Sequence, residues 1–116
     1  LLDKAEQNQA AFQMYRRAAE AGSAEAALAL GVMYANGEGV PKDNAQALAW
    51  LTRAAQAGHG PSMVTLAQVY LRGDLGVQPD RGEALRWLEG AVSTGYGPAK
   101  LELEQLRKSE HTSEKR

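Results

Sequence analysis

The feature that most constrains this chain is that it repeats itself. Ala18-Ala19-Glu20-Ala21-Gly22 recurs as Ala54-Ala55-Gln56-Ala57-Gly58 and, more loosely, as Ala91-Val92-Ser93-Thr94-Gly95, so the closing glycines stand 36 and 37 residues apart. Leu30-Gly31-Val32-Met33-Tyr34 recurs 36 residues later as Leu66-Ala67-Gln68-Val69-Tyr70, and Trp50 and Trp87 are 37 apart. The one-residue difference falls in a turn, where Gly37-Glu38-Gly39-Val40 becomes Gly73-Asp74-Leu75-Gly76-Val77. An insertion confined to a turn leaves the flanking elements in register. A period of this length means supersecondary units that bury their apolar faces by stacking on one another.

Each unit reads as two helices. Ala27, Leu30, Gly31 and Tyr34 follow i, i+3, i+4, i+7, which places one apolar stripe on a helix from Ser23 to Asn36. Gly37 and Gly73 stand where a left-handed residue closes a helix. The second helix opens at Asp43 with Gln46 three residues on, and its copy at Asp80 with Glu83, two capping-box patterns. Its expected buried face is Ala47, Trp50, Leu51, Ala54 and Ala55, matched by Ala84, Trp87, Leu88 and Ala91, and Gly58 and Gly95 stop it. Alanine is the commonest residue while aromatics make up 6%, so the helices approach closely. The expected fold is all-α, an α/α solenoid of antiparallel helix pairs with about five or six helices.

The ends differ from the middle. Residues 1–22 align with the second helix of a unit alone, with Ala11 at the position of Ala47, Met14 at that of Trp50 and Ala18 at that of Ala54. Full units follow over 23–58 and 59–95, then a capping helix over 96–108 and a polar, aperiodic tail over 109–116. In the capping helix Glu104 replaces Gly31 and Ala67, and Arg107 replaces Tyr34 and Tyr70. Charges at those positions predict that no further unit packs there and that both side chains face solvent. Leu1 opens the chain without Met, which fits either a removed leader or a piece of a longer polypeptide.

Leu30-Gly31, Tyr34, Gly37, Gly39-Val40, Asp43, Ala47, Trp50, Ala54-Ala55 and Gly58 carry a resemblance to the Sel-one-like repeat (SLR), a relative of the tetratricopeptide repeat. The likeness covers nearly the whole chain, from about residue 5 to residue 106. It implies a solenoid whose first helices line a concave face, and a role as an adaptor or scaffold in signalling, secretion, quality control or bacterial surface assemblies. It also leans the expected compartment toward the periplasm or the exterior, with the cytoplasm left open.

Candidate chemistry is sparse. With no cysteine, the chain has no disulfide, thiolate metal site or cysteine nucleophile. A formal charge of -1 offers no basic field for nucleic acid, and no apolar run approaches a bilayer span. Gly37-Glu38-Gly39 follows a helix and lacks a following Lys-Ser or Lys-Thr, so it reads as a turn rather than a phosphate loop. His59 has Ser62 nearby, a fragment of a nucleophile–base pair, but no orienting carboxylate is evident and a capping role is the simpler reading. His111 has no assigned role. Glu20, Glu25, Glu38, Asp43, Asp74, Asp80 and Glu83 scatter over caps, turns and solvent faces, and Met14, Met33, Met63 and the two tryptophans read as packing residues. No catalytic, cofactor or metal residues are assigned.

What remains is a surface for another protein or peptide. By analogy with the related repeat, the concave side carries Glu25, Leu28, Val32 and Asn36, then Val64, Gln68 and Arg72, then Leu101, Gln105 and Lys108. Leu28, Val64 and Leu101 form one apolar column, which is either a groove for a partner or half-buried core. Arg16, Arg17, Arg53 and Arg86 fall on second helices and read as a solvated convex face. The expectation is a non-enzymatic interaction module. The alternatives are an inhibitor or immunity-type protein that blocks a secreted bacterial enzyme, and a weak β-lactam hydrolase of the kind linked to a cysteine-rich branch of the family. This chain departs from that branch in having no cysteine and no Ser-x-x-Lys.

Overall fold

A computed structural model describes residues 1–114, with side chains as far as Ser109; Lys115 and Arg116, the end of the segment read as a tail, lie outside the described residues, as does the His111 side chain. The described residues form six helices: α1 (Lys4–Glu20), α2 (Ala24–Asn36), α3 (Asn44–Gln56), α4 (Gly60–Arg72), α5 (Arg81–Ser93) and α6 (Gly97–Glu114). Each packs mainly on its neighbours in the chain, most closely within the pairs α2–α3 and α4–α5, and the array measures 57 × 26 × 23 Å.

The boundaries follow local chemistry. Asp3, Ser23, Asp43 and Asp80 each accept from the backbone N–H three residues on, at 2.8 to 3.1 Å. Each such cap satisfies one of the donors a helix start leaves open, worth about 1 kcal/mol. Gly37 and Gly73 close α2 and α4 at φ 71 and 74, in the left-handed region that glycine enters without strain. At the other end α6 runs beyond Lys108, where the pattern predicted the cap to finish, through Glu114. From Ala99 onward the sequence holds no glycine or proline, so nothing local stops a helix that gains one hydrogen bond per added residue.

Burial is concentrated on the faces the period marks out. Leu30, Leu66 and Leu88 are fully buried, and alanines such as Ala47, Ala55, Ala84 and Ala99 fill the spaces between helix backbones. Gly31 shows why the residues are small: a Cβ there would lie 3.2 Å from the Ala47 carbonyl oxygen and 3.5 Å from Leu51 Cβ. The tryptophans differ from the expected core assignment. Trp50 and Trp87 are half-buried, packed on the margins of the apolar clusters, and the Arg53 guanidinium lies 5.1 Å from the centre of the Trp50 ring. Small side chains such as Ala47, Ala54, Ala84 and Ala91 fill the buried positions, and the larger indoles pack at the cluster edges.

Two close contacts seat the end helices. Gly39, at φ 72, lies against α1 so tightly that a Cβ would come within 2.4 Å of the Asn8 carbonyl oxygen. Gly60 lies under Tyr96, at the start of the last helix, where a Cβ would come within 2.5 Å of the Tyr96 Cβ. Phe12 of α1 inserts beside Tyr34 in an edge-to-face pair with centroids 5.4 Å apart, and Arg81 of α5 donates to the Leu106 carbonyl oxygen of α6.

Candidate partner-binding surface

Two grooves of nearly equal size open between successive first helices. The first, about 340 Å³, has Leu28, Gly31, Val32 and Ala35 of α2 on one side and Thr65 and Val69 of α4 on the other. Leu51 of α3 also lines it, with Lys42, Asn44, Asp74 and Leu75 completing the wall. The second, about 350 Å³, lies between Gln68, Leu71 and Arg72 of α4 and Glu102, Gln105 and Leu106 of α6, with Leu88, the repeat counterpart of Leu51, also lining it. The chemistry changes along the array. Val32, Gln68 and Gln105 hold one repeat position, apolar in the first groove and polar in the second. Across the second groove Gln68 Nε2 donates to Glu102 Oε1 at 3.2 Å, which joins its two walls.

The predicted surface residues separate accordingly. Leu28 and Val32 come together in the first groove; Gln68, Arg72 and Gln105 line the second. Glu25 lies on a third groove, between α1 and α2, with Met14, Tyr15 and Ala29. Asn36 is exposed at the end of α2 and donates to Glu38 Oε1 at 2.9 Å. Lys108 is exposed on α6. The Leu28–Val64–Leu101 column is not one surface. Val64 is buried with Ala99 and Leu103 of α6, whereas Leu101 is 60% exposed. An interior helix is covered from both sides and an end helix from one, so the same repeat position cannot keep one environment along three units.

Sequence reasoning missed part of the first groove. Lys42, Asp74 and Leu75 come from loops, where periodicity says nothing about direction. The available signal was the inserted residue itself: Leu75 sits inside the lengthened turn at φ 57, the one non-glycine left-handed residue among those described. Its side chain packs against the cluster of Leu51, Leu66 and Val69. A branched apolar residue held there costs on the order of 1 kcal/mol, and burial against that cluster offsets it.

The candidate catalytic fragments are placed as well. His59 Nδ1 lies 2.7 Å from Ser62 Oγ, so the pair does meet. Ser62 is wholly buried, and no carboxylate hydrogen-bonds the imidazole among the described residues, so the contact secures the start of α4, whose N-cap His59 makes no other side-chain bond. The Gly37-Glu38-Gly39 turn packs against α1 rather than presenting its N–H groups to a ligand. Among the described residues no group of three or more His, Asp or Glu side chains is arranged to hold a metal ion, and no helix is long and apolar enough to cross a membrane. The four convex arginines are exposed, with Arg16 paired to Glu20 and Arg86 to Glu83.

Comparison with known proteins agrees with this architecture. The sequence profile of the Sel1 repeat matches residues 4–23, 24–59 and 61–93. Among solved structures, the chain is similar to a protective antigen of uropathogenic Escherichia coli strains that displays an SLR fold, with 35% identity, a TM-score of 0.73, and coverage of 79% of this chain and 20% of that one. It is also similar to a Sel1 repeat protein from Oxalobacter formigenes, with 32% identity, a TM-score of 0.72, and coverage of 82% of this chain and 39% of that one. The chain therefore spans well under half the length of either structure. A comparison with curated proteins returned no match.

Proposed function

The chain belongs to the Sel1 repeat family, whose members generally serve as protein-interaction modules, and we propose that this one is a non-enzymatic adaptor that holds a peptide segment of a partner protein in the groove between α2 and α4. The observation that carries the reading is the composition of that groove. Leu28, Val32, Ala35, Val69 and Leu75 present an open apolar trough, and Lys42 and Asp74 set one charge of each sign on its wall. Apolar anchors supply affinity by leaving water, and the flanking charges fix the register of what is bound. Leu75, inserted in the second unit alone, lines this groove and has no counterpart in the first unit's turn. The second groove, with Arg72 and Gln105, extends the surface toward polar groups of the same segment. A buried Ser62 and carboxylates dispersed over caps and turns support a binding role over catalysis.

Affinity capture with wild-type protein, Val32→Glu and Arg86→Ala in parallel tests the proposal. Val32 is exposed in the groove, so the variant folds while placing a carboxylate among apolar walls. The expected partner is retained by wild type and Arg86→Ala and lost by Val32→Glu, by about 2 kcal/mol or roughly thirtyfold in calorimetry. Arg72→Ala and Gln68→Ala, in the second groove, should weaken the same complex less. Equal capture by wild type and Val32→Glu, with loss on Arg86→Ala, would move the binding face to the second helices.

A further inference from the structure

The groove between α2 and α4 is apolar along its helices and polar at one end. Leu28, Val32 and Val69 line its length, and Thr65 turns its hydroxyl back on its own helix, donating to the Pro61 carbonyl oxygen at 2.9 Å. Lys42, Asn44 and Asp74 gather at one end, because the α2–α3 and α4–α5 connections both leave from the C-terminal ends of first helices. None of these three side chains makes a hydrogen bond or ion pair among the described residues, so Lys42 and Asp74, opposite in charge, line one groove without pairing. The backbone agrees with each charge. Lys42 and Asn44 flank Asp43, the N-cap of α3, and a helix start favours an anion; Asp74 follows Gly73, the C-cap of α4, and a helix end favours a cation. Leu75, packed against Leu51, Leu66 and Val69, fixes the loop that carries Asp74 before anything binds.

A ligand that meets all of these groups carries both charges close together beside an apolar body. We propose that the groove between α2 and α4 binds a free α-amino acid with an apolar side chain, its carboxylate toward Lys42 and Asn44 and its ammonium toward Asp74. The side chain lies on Leu28, Val32 and Val69, and the volume of about 340 Å³ is at the low end of small-molecule sites, roughly 300 to 1,000 Å³. Charge-assisted bonds at both ends of the zwitterion fix its orientation. The second groove lacks this set: Pro79 and Arg81 are the counterparts of Lys42 and Asn44, and Arg81 donates to the Leu106 carbonyl oxygen. Because the same groove is the proposed seat of the partner segment, amino acid and segment exclude one another; that consequence, unlike the site itself, rests on the adaptor reading.

The test is a titration of the isotope-labelled 116-residue protein with leucine, followed by NMR. Saturable shifts are expected at the amides of Val32, Asn44 and Leu75, unchanged in Arg86→Ala on the convex face. Leucinamide, which lacks the carboxylate, and N-acetyl-leucine, which lacks the ammonium, should each bind about tenfold more weakly or worse, and serine should not saturate. Lys42 and Asp74 are exposed, so Lys42→Gln and Asp74→Asn should fold normally. Lys42→Gln should make leucine and leucinamide bind alike, and Asp74→Asn should do so for leucine and N-acetyl-leucine. No saturable binding of leucine, or indifference to both variants, would overturn the site. N-acetyl-leucine binding wild type as tightly as leucine would overturn the occupant, because the C-terminal residue of a peptide would then serve equally well. A wild type that ignores leucine yet captures a partner lost on Val32→Glu would refute this site and leave the adaptor reading standing; leucine binding without such a capture would do the reverse.

Discussion

Among the described residues α1 is a second helix without the first helix of its own unit, and α6 is a first helix without the second helix of its own. The two halves meet solvent in opposite ways. α1 keeps on its outer face the residue types of an interior unit, with Met14 and Tyr15 in water where Trp87 and Leu88 are half-buried and buried. α6 has exchanged them: Lys100, Glu104 and Arg107 stand where the earlier units carry Ala27 or Met63, Gly31 or Ala67, and Tyr34 or Tyr70. All three are exposed, and Arg107 lies 3.6 Å from Glu89 of α5. A solenoid has no intrinsic stop, since each unit offers its neighbour the surface it received. Composition at a contact face decides whether another unit can pack on it, and α6 carries charges at those positions while α1 keeps interior residue types.

The largest effects should come from removing what anchors each end helix. Phe12 is the large buried side chain that ties α1 to α2, and Leu103 is its counterpart on α6. Phe12→Ala should cost about 3 to 5 kcal/mol and Leu103→Ala about 2 to 4, measured by denaturant melts. The two ends would then be comparably anchored despite their different outer faces. A cost below about 1 kcal/mol for Phe12→Ala would mean that α1 is held by something other than its inner face, and the comparison of ends would fail at its first step.

The seating glycines separate the ends more finely. Gly39 faces the backbone of α1, and its φ of 72 already disfavours a side chain. Gly60 faces a side chain, Tyr96, in the turn that leads into α6. Gly39→Ala should therefore cost about 2 to 4 kcal/mol, because neither the conformation nor the opposing carbonyl can give way cheaply. Gly60→Ala should cost about 1 to 2 kcal/mol, since the tyrosine can shift with its turn. Thermal melts in which Gly60→Ala is the worse of the two would show that α6, and not α1, has the less forgiving seat.

Much of this was legible before any coordinates. The caps at Asp43 and Asp80, the glycine stops and the exposure of Glu104 and Arg107 depend on residues within one turn of helix or on a shift by one period, and sequence carries both kinds of information directly. What was not legible depends on three helices at once. Val64 is buried because α6 arrives beside it, although Leu28 and Leu101 share its repeat position. Trp50 is half-buried at the edge of the cluster that holds Leu30 and Ala54, with Arg53 over its ring. Leu75 marked an insertion, but its direction into the first groove follows from a left-handed backbone that no pattern of residue types announces for leucine. The residues of the candidate surface accordingly divide, with Leu28 and Val32 in one groove and Gln68, Arg72 and Gln105 in another.

The smallest change in stability should accompany the sharpest test of the comparison. Restoring interior residues on α6 with Glu104→Ala and Arg107→Tyr, as at Ala67 and Tyr70, alters exposed positions and should leave the melting free energy within about 0.5 kcal/mol of wild type. It should nevertheless change how copies meet. The altered α6 would present a first-helix face like that of α4, α1 of another copy keeps the residue types such a face packs on, and the two would complete a unit across two chains. Such a contact joins unlike surfaces and does not close on itself, so the product is an open chain of copies rather than a dimer. Sedimentation velocity should show concentration-dependent growth for the double variant, none for wild type, and none when Tyr15→Glu is added. Growth that survives Tyr15→Glu would mean that the new α6 face finds some other surface, and the complementarity of the two ends would be wrong even though each end had been read correctly by itself.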